Sequence, residues 1–285
     1  MIDLDSQQWI RALREGLGAE VSRVGTGTGL MVCFEAGPFR AAYPDFLIGS
    51  AGLTADWVAS QIDAAHSLGA DLIRIQADAP VDDSRVFARH DLGSMAIEHL
   101  AAWSERGADK SRRAANRLAR SALLIRRGRA GDGARLYGLY RATLHRHGGS
   151  VRYTERYFEA IAPYAAWVAE LDGRVCAFVC VGHRGSRGCY MHGAHDPSVR
   201  GHYPSDQLFL LMLRAARDAG LESFDFLPSP ATQGSLSAYK AAWGGQPVQL
   251  VVSDLALRPV RARAFAAALK LSRGLSAIRS RVFGG

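Results

Sequence analysis

Between residues 167 and 252 apolar side chains recur first at every second residue, then at every third or fourth, and the two spacings go on alternating. That switch constrains the fold more than any other feature, because period two belongs to strands and period 3.6 to helices. Residues 167–171, 174–182 and 187–193 read as three strands. The first two are joined by Asp172-Gly173, a dipeptide that favours the two-residue hairpin turn. A loop over 196–204 then opens a helix from about Ser205 to Ala219, ended by Gly220 as a glycine C-cap would end it. A strand at 222–226, a helix at about 235–243 and a strand at 247–252 follow. Strands and helices in alternation imply an α/β unit in which helices cover a mixed sheet.

Upstream the pattern is weaker. A helix is expected over 6–15, with Trp9, Ile10 and Leu13 on one side. Gly25-Thr26-Gly27-Thr28-Gly29 matches neither the dinucleotide nor the P-loop fingerprint, and reads as a hairpin turn. Strands are expected at 30–34, 46–48 and 71–75, with Thr54 capping a helix that runs to about Leu68. A basic helix is expected from 101 to about 120, then a strand at 122–126 and helices at 133–147 and 154–161. The chain of 285 residues thus divides into a first α/β unit (1–105), a second (106–257) and an amphipathic basic helix (258–285), with Phe265, Ala268, Leu269 and Leu275 set against arginines. No apolar stretch approaches the ~20 residues of a membrane span. The first residues lack the basic and apolar regions of a signal peptide, so a cytoplasmic protein is expected. Cys33, Cys176, Cys180 and Cys189 show no metal spacing and read as small buried hydrophobes; no metal site is expected.

Charge narrows the partner. The net charge is +8, and its sources cluster. Lys110, Arg112, Arg113, Arg117, Arg120, Arg126, Arg127 and Arg129 fall in a stretch without an acidic residue, and no acid follows Asp254. Such blocks bind phosphates, or else form a solvated arginine-rich surface. Of 35 basic residues only Lys110, Lys240 and Lys270 are lysines, so a retained lysine marks a position where ammonium chemistry is wanted.

Several local sequences carry a family resemblance. Val168-Ala169-Glu170-Leu171-Asp172-Gly173-Arg174-Val175 is similar to a recurrent GNAT hairpin. Phe224-Asp225-Phe226, then Gly234 to Tyr239-Lys240, then Trp243-Gly244-Gly245, resembles a stretch of FemAB-related proteins, as does the Arg112-Arg113-Ala114 entry to the second unit. Gln8-Trp9-x-Arg11 and the strand Asp71-Leu72-Ile73-Arg74-Ile75 fit a more divergent first unit. The chain therefore resembles FemAB-type aminoacyl transferases within the GNAT superfamily, with a second acetyltransferase-like domain of the BioF2-like kind. The resemblance implies two tandem GNAT-like units with mixed central sheets flanked by helices.

It also implies amide formation between the aminoacyl group of a charged tRNA and an amine acceptor, a peptidoglycan precursor or a small peptide. Lys240 is then the cation at the developing oxyanion, beside Tyr239 and Trp243. Asp225 orients Lys240 or the amine, or caps the following loop. His192, expected to face the gap between splayed strands, accepts the amine proton, or is a packed or solvent-facing histidine. Arg11, Arg200 and Tyr203 are expected to meet the donor, and Arg112, Arg113, Arg117 and Arg120 to hold the tRNA backbone. No cofactor is expected, with aminoacyl-tRNA as co-substrate, and a monomer is favoured. The alternative is an acyl-CoA- or acyl-carrier-dependent N-acyltransferase. Against it, Val199-Arg200-Gly201-His202-Tyr203-Pro204-Ser205 stands where a glycine-rich loop would cradle a pyrophosphate, and proline lacks an amide donor. A non-catalytic nucleic-acid-binding protein is the third reading.

Overall fold

The computed structural model describes residues 1–25, 29–50, 52–229 and 234–269. In chain order the elements are β1 (Ile2–Asp3), α1 (Gln7–Leu17), β2 (Glu20–Arg23), β3 (Leu30–Ala36), β4 (Phe39–Pro44), α2 (Ala55–Ser67), β5 (Leu72–Ala77) and β6 (Val86–Ile97). Then come α3 (Asp109–Leu118), β7 (Leu124–Arg127), α4 (Gly133–Arg146), α5 (Glu155–Ala165), β8 (Ala166–Leu171), β9 (Arg174–Arg184), β10 (Arg187–His195), α6 (Pro204–Asp218), β11 (Ser223–Asp225), α7 (Gly234–Ala241) and β12 (Gln246–Ala256). A last helix, α8, covers 259–269. The chain divides into two compact units. The larger is Met1–Leu17 with Leu92–Gln249; the smaller is Gly18–Asp91 with the chain from Leu250 onward.

In the larger unit the sheet order is β6-β11-β10-β9-β8-β7, with β1 added in parallel to the end of β9. Only β10 and β11 among the remaining neighbours run parallel. The Asp172-Gly173 turn takes positive φ at both residues (51° and 75°), the two-residue turn the dipeptide predicts. α6 buries Leu208, Phe209, Leu210, Met212 and Leu213 against Val179, Val181 and Phe224 of the sheet and Phe226 just past β11, while α4 and α5 pack on β9 and β10. In the smaller unit the order is β2-β3-β4-β5-β12, with β4 and β5 parallel. Its core joins Met31, Ile62, Ile73, Ile75 and Leu255. Thr54 caps α2 by accepting from the Trp57 amide. α8 seats Ala262 and Phe265 beside Ala41, Leu72 and Phe39.

Some sequence expectations need correction. The strand expected at 46–48 is absent, and the strand is β4 instead: Asp45 and Leu47 take positive φ (48° and 86°), which breaks extended backbone. The basic helix starts at Asp109 rather than 101; Leu100–Ala102 is a single 3-10 turn before it. The loop after β10 is likewise a 3-10 segment, Pro197–His202. β2 and β6 had no periodic signal strong enough to mark them. Residues 26–28 of the glycine-alternating segment, and everything after 269 in the basic tail, lie outside the described residues. Among the described residues no helix is long and apolar enough to cross a membrane.

Candidate active site

The site begins where two strands part. β10 and β11 pair only from Arg187↔Ser223 to Cys189↔Asp225; β11 then ends while β10 runs on to His195. Past Asp225 the chain turns sharply at Leu227, a non-glycine residue at φ 59°. Left-handed backbone costs such a residue roughly 1 kcal/mol, and Asp225 is what holds it there. Its Oδ1 accepts from the Leu227 amide (2.6 Å) and from the Ser94 hydroxyl (2.8 Å). The turn aims the Leu227 carbonyl at Lys240 of α7, whose Nζ donates to it at 2.5 Å and to Ser229 Oγ at 2.7 Å.

Lys240 is 2% exposed. Burial pulls its pKa down to about 8, opposed by the nearby Asp225 carboxylate, so the group is still mostly ammonium at neutral pH. An ammonium has three N–H donors and two are assigned here, which among the described residues leaves the third without a partner. The glycines that follow explain themselves sterically. Gly244 takes φ 95°, and a Cβ on Gly245 would stand 3.0 Å from the Lys240 carbonyl and from the Phe226 ring. Trp243, fully buried, packs on Phe209 while its carbonyl accepts from Trp103 Nε1 at 2.9 Å. The motif is thus a tight end to α7 that fixes the lysine.

One residue the sequence reading missed organises the neighbourhood. Asp206, in the first turn of α6 and 5% exposed, accepts from Tyr239 Oη (3.1 Å) and pairs with Arg117 (2.8 Å) and Lys110 (3.2 Å) of α3. Burial and this carboxylate push the Tyr239 phenol far up, so it stays neutral and donates. The only signal in the sequence was an acid at the head of a strongly apolar helix. Arg117 also lies 3.5 Å over the ring of Tyr203, the exposed, positive-φ residue that precedes Pro204 at the head of α6. The α6 N-terminus is therefore occupied by a carboxylate, a proline and a stacked aromatic–guanidinium pair. A backbone cradle for a pyrophosphate would need open amides there.

The other expected residues scatter. Arg200 is exposed on the 3-10 segment. Arg112 and Arg113 are exposed on α3 beside Asp109, and Arg120 is exposed just past its end, so these three face solvent while Arg117 is turned inward. Arg11 pairs with Glu15 at 3.0 Å on α1 and lines a groove of ≈ 850 Å³ against Arg156 and Tyr164 of α5. His192 does not face the gap. Its ring is enclosed by Tyr140, Tyr153, Tyr157 and Phe158 on the α4–α5 side, with Tyr157 Oη 2.9 Å from Nε2. Burial drops its pKa to about 3, so it is a neutral packed ring. Tyr239 and Trp243, to either side of Lys240 in the sequence, pack instead with Phe209 of α6. Among the described residues no cluster of three or more His, Cys, Asp or Glu could hold a metal ion.

Residues 105–241 match the family described as acetyltransferase (GNAT) domain. No curated protein matches the chain. Solved structures with the same fold include FemX (15% identity over 90% of this chain and 92% of that one, TM-score 0.63). The C-terminal domain of a protein described as a lysylphosphatidylglycerol synthetase from Agrobacterium fabrum matches at 19% identity over 94% and 92% (TM-score 0.61). L-PGS from Bacillus licheniformis matches at 15% over 92% and 96% (TM-score 0.57). The helix that carries Asp206, the strand that carries Asp225 and the helix that carries Lys240 thus lie within the stretch that matches the acetyltransferase (GNAT) domain, in a chain that shares the fold of FemX.

Proposed function

We propose that this chain transfers an aminoacyl group from charged tRNA to an amine, forming an amide. The observation that carries the proposal is Lys240: a buried ammonium, fixed by Leu227 and Ser229, with its third donor uncommitted among the described residues, close to where β10 and β11 part. Attack of an amine on an ester builds negative charge on the carbonyl oxygen, and a pre-oriented cation in a dry site lowers that barrier by roughly 3–4 kcal/mol. The donor ester is already activated, so little further chemistry is required of the protein. Three features favour an aminoacyl-tRNA over acyl-CoA. The α6 N-terminus is filled by side chains. The outer face of α3 and the residues after it carry Arg112, Arg113 and Arg120 in solvent, where phosphates could pair with them. The fold is shared with a protein named for a lysyl-bearing product. This donor would place the protein in the cytoplasm. Transfer from acyl-CoA remains the second reading, and the GNAT domain match is what favours it.

The deciding experiment compares binding of aminoacylated tRNA with the same tRNA deacylated, at about 150 mM salt where nonspecific binding is weak, with CoA as competitor. Tighter binding of the charged form, unmoved by CoA, is expected. Equal binding of both forms, with displacement by CoA, would transfer the assignment to the thioester donor.

A further inference from the structure

We propose that His195 is the proton acceptor of this site, the group that takes a proton from the attacking amine. The inference rests on the acyl transfer argued above and holds for either donor, since both reactions release an amine proton.

The geometry is as follows. His195 is the last residue of β10, six positions beyond the final pair with β11, and so lies on the part of the strand that has left its neighbour. Its Nδ1 stands 3.0 Å from Ser205 Oγ, at the head of α6. Ser205 adjoins Asp206, which accepts from Tyr239, which adjoins Lys240. Two hydrogen bonds and two peptide steps therefore connect His195 to the residue Lys240. The Arg146 guanidinium reaches the His195 carbonyl from α4 at 3.4 Å. The ring is half-buried, and Nε2 has no hydrogen-bond partner among the described residues. With Nδ1–H donating to Ser205 Oγ, Nε2 keeps its lone pair for an incoming proton.

The groups that act on the ring set its charge. Burial, Arg146 and His147 lower its pKa, while Asp196 and Asp206 raise it less, so the ring is neutral at physiological pH. A neutral, anchored, partly open imidazole is what His192 is not. In the step itself the amine nitrogen bonds to the acyl carbon and the bond from that carbon to the leaving atom breaks, an oxygen in the tRNA ester or a sulfur in a thioester. One N–H proton passes to Nε2 and is returned to that departing oxygen or sulfur. Nothing is oxidised or reduced, and the imidazole ends as it began.

The test uses the full-length chain, assayed with aminoacyl-tRNA and, separately, with acyl-CoA. His195→Ala should lower kcat about 100-fold, within the usual range for a general base, leave donor affinity unchanged and recover in part with added imidazole. His195→Gln can still donate to Ser205 but accepts no proton, so it should be as slow as His195→Ala; Ser205→Ala should fall less. Turnover preserved in His195→Gln, or a His195→Ala loss that imidazole does not relieve, would reduce His195 to a positioning residue and overturn the proposal. Absence of transfer by the unaltered protein from either donor would overturn the proposed function and this assignment together.

Discussion

The proposed transfer turns on the protonation of Lys240, and that gives a residue-scale prediction. Burial brings its pKa to about 8, so the cation is lost as pH rises through that value. Activity that depends on the ammonium should fall along a basic limb near pH 8. Lys240→Arg keeps its charge at any accessible pH; it should be slower, because the guanidinium does not fit the Leu227–Ser229 seat, and its basic limb should vanish. Lys240→Met should lose about 100-fold or more in kcat yet melt no lower than the parent, because removing a buried charge relieves a desolvation cost. A Met variant that keeps its turnover would remove Lys240 from the mechanism. The lysine was legible in the sequence from its rarity and its Tyr-Lys-x-x-Trp-Gly-Gly setting. The turn that seats it was not. Leu227 is held in left-handed backbone by Asp225, and leucine there offers no local hint of that conformation. Asp206 was equally hidden, because its partners Lys110 and Arg117 stand about ninety residues upstream.

Elements with a strong period or turn were readable, and elements that depend on distant partners were not. The β8–β9 hairpin announces itself through Asp172-Gly173, and α2 through Thr54. β6 has no clean alternation because its pattern follows the strands beside it. The same distinction locates a staple in the larger unit. Arg126 of β7 bonds Asp132, just before α4, through both terminal nitrogens (2.7 and 2.9 Å) and also Glu170 of β8 (2.6 Å). All three side chains are at most 16% exposed. The sequence shows only one more arginine in a basic block. Arg126→Met leaves two buried carboxylates unpaired and should cost about 3–5 kcal/mol, which for a chain of this size lowers Tm by roughly 10 °C. The Arg126 hydrogen bonds outweigh burial and hold the Asp132 pKa below the usual carboxylate range. A lowered carboxylate pKa stabilises the fold above the ordinary value of about 4 and loses that contribution as pH falls through the folded value. The Arg126→Met deficit should therefore be full at neutral pH and shrink below about pH 4, measured as the difference in Tm. An equal deficit at pH 3 would mean the side chain acts by packing alone.

For the whole molecule the net charge of +8 argues for a polyanionic partner but does not say which arginines meet it. The structure sorts them. Arg117, Arg126 and Arg214 are committed to internal carboxylates. Arg112 and Arg113 share one exposed partner, Asp109, at a surface where pairing contributes little and is readily exchanged for phosphate. Each arginine that neutralises a tRNA phosphate on binding releases counterions and steepens the fall of affinity with salt, by roughly 0.7–0.9 in the log–log slope per contact. Arg112→Ala with Arg113→Ala should therefore make the slope shallower by about 1.5, weaken charged and uncharged tRNA alike, and leave kcat at saturation unchanged. Arg117→Ala should behave differently: it removes one of the two cations paired with Asp206 and uncovers Tyr203, so kcat should fall while the salt slope hardly moves. Titration of labelled tRNA between about 50 and 200 mM salt separates the two, because this range spans several powers of ten in affinity for a protein with many phosphate contacts. A parent slope near one, no steeper than a single small anion would give, would reassign these arginines to solvated surface. The donor would then have to be a compact molecule held at the site itself.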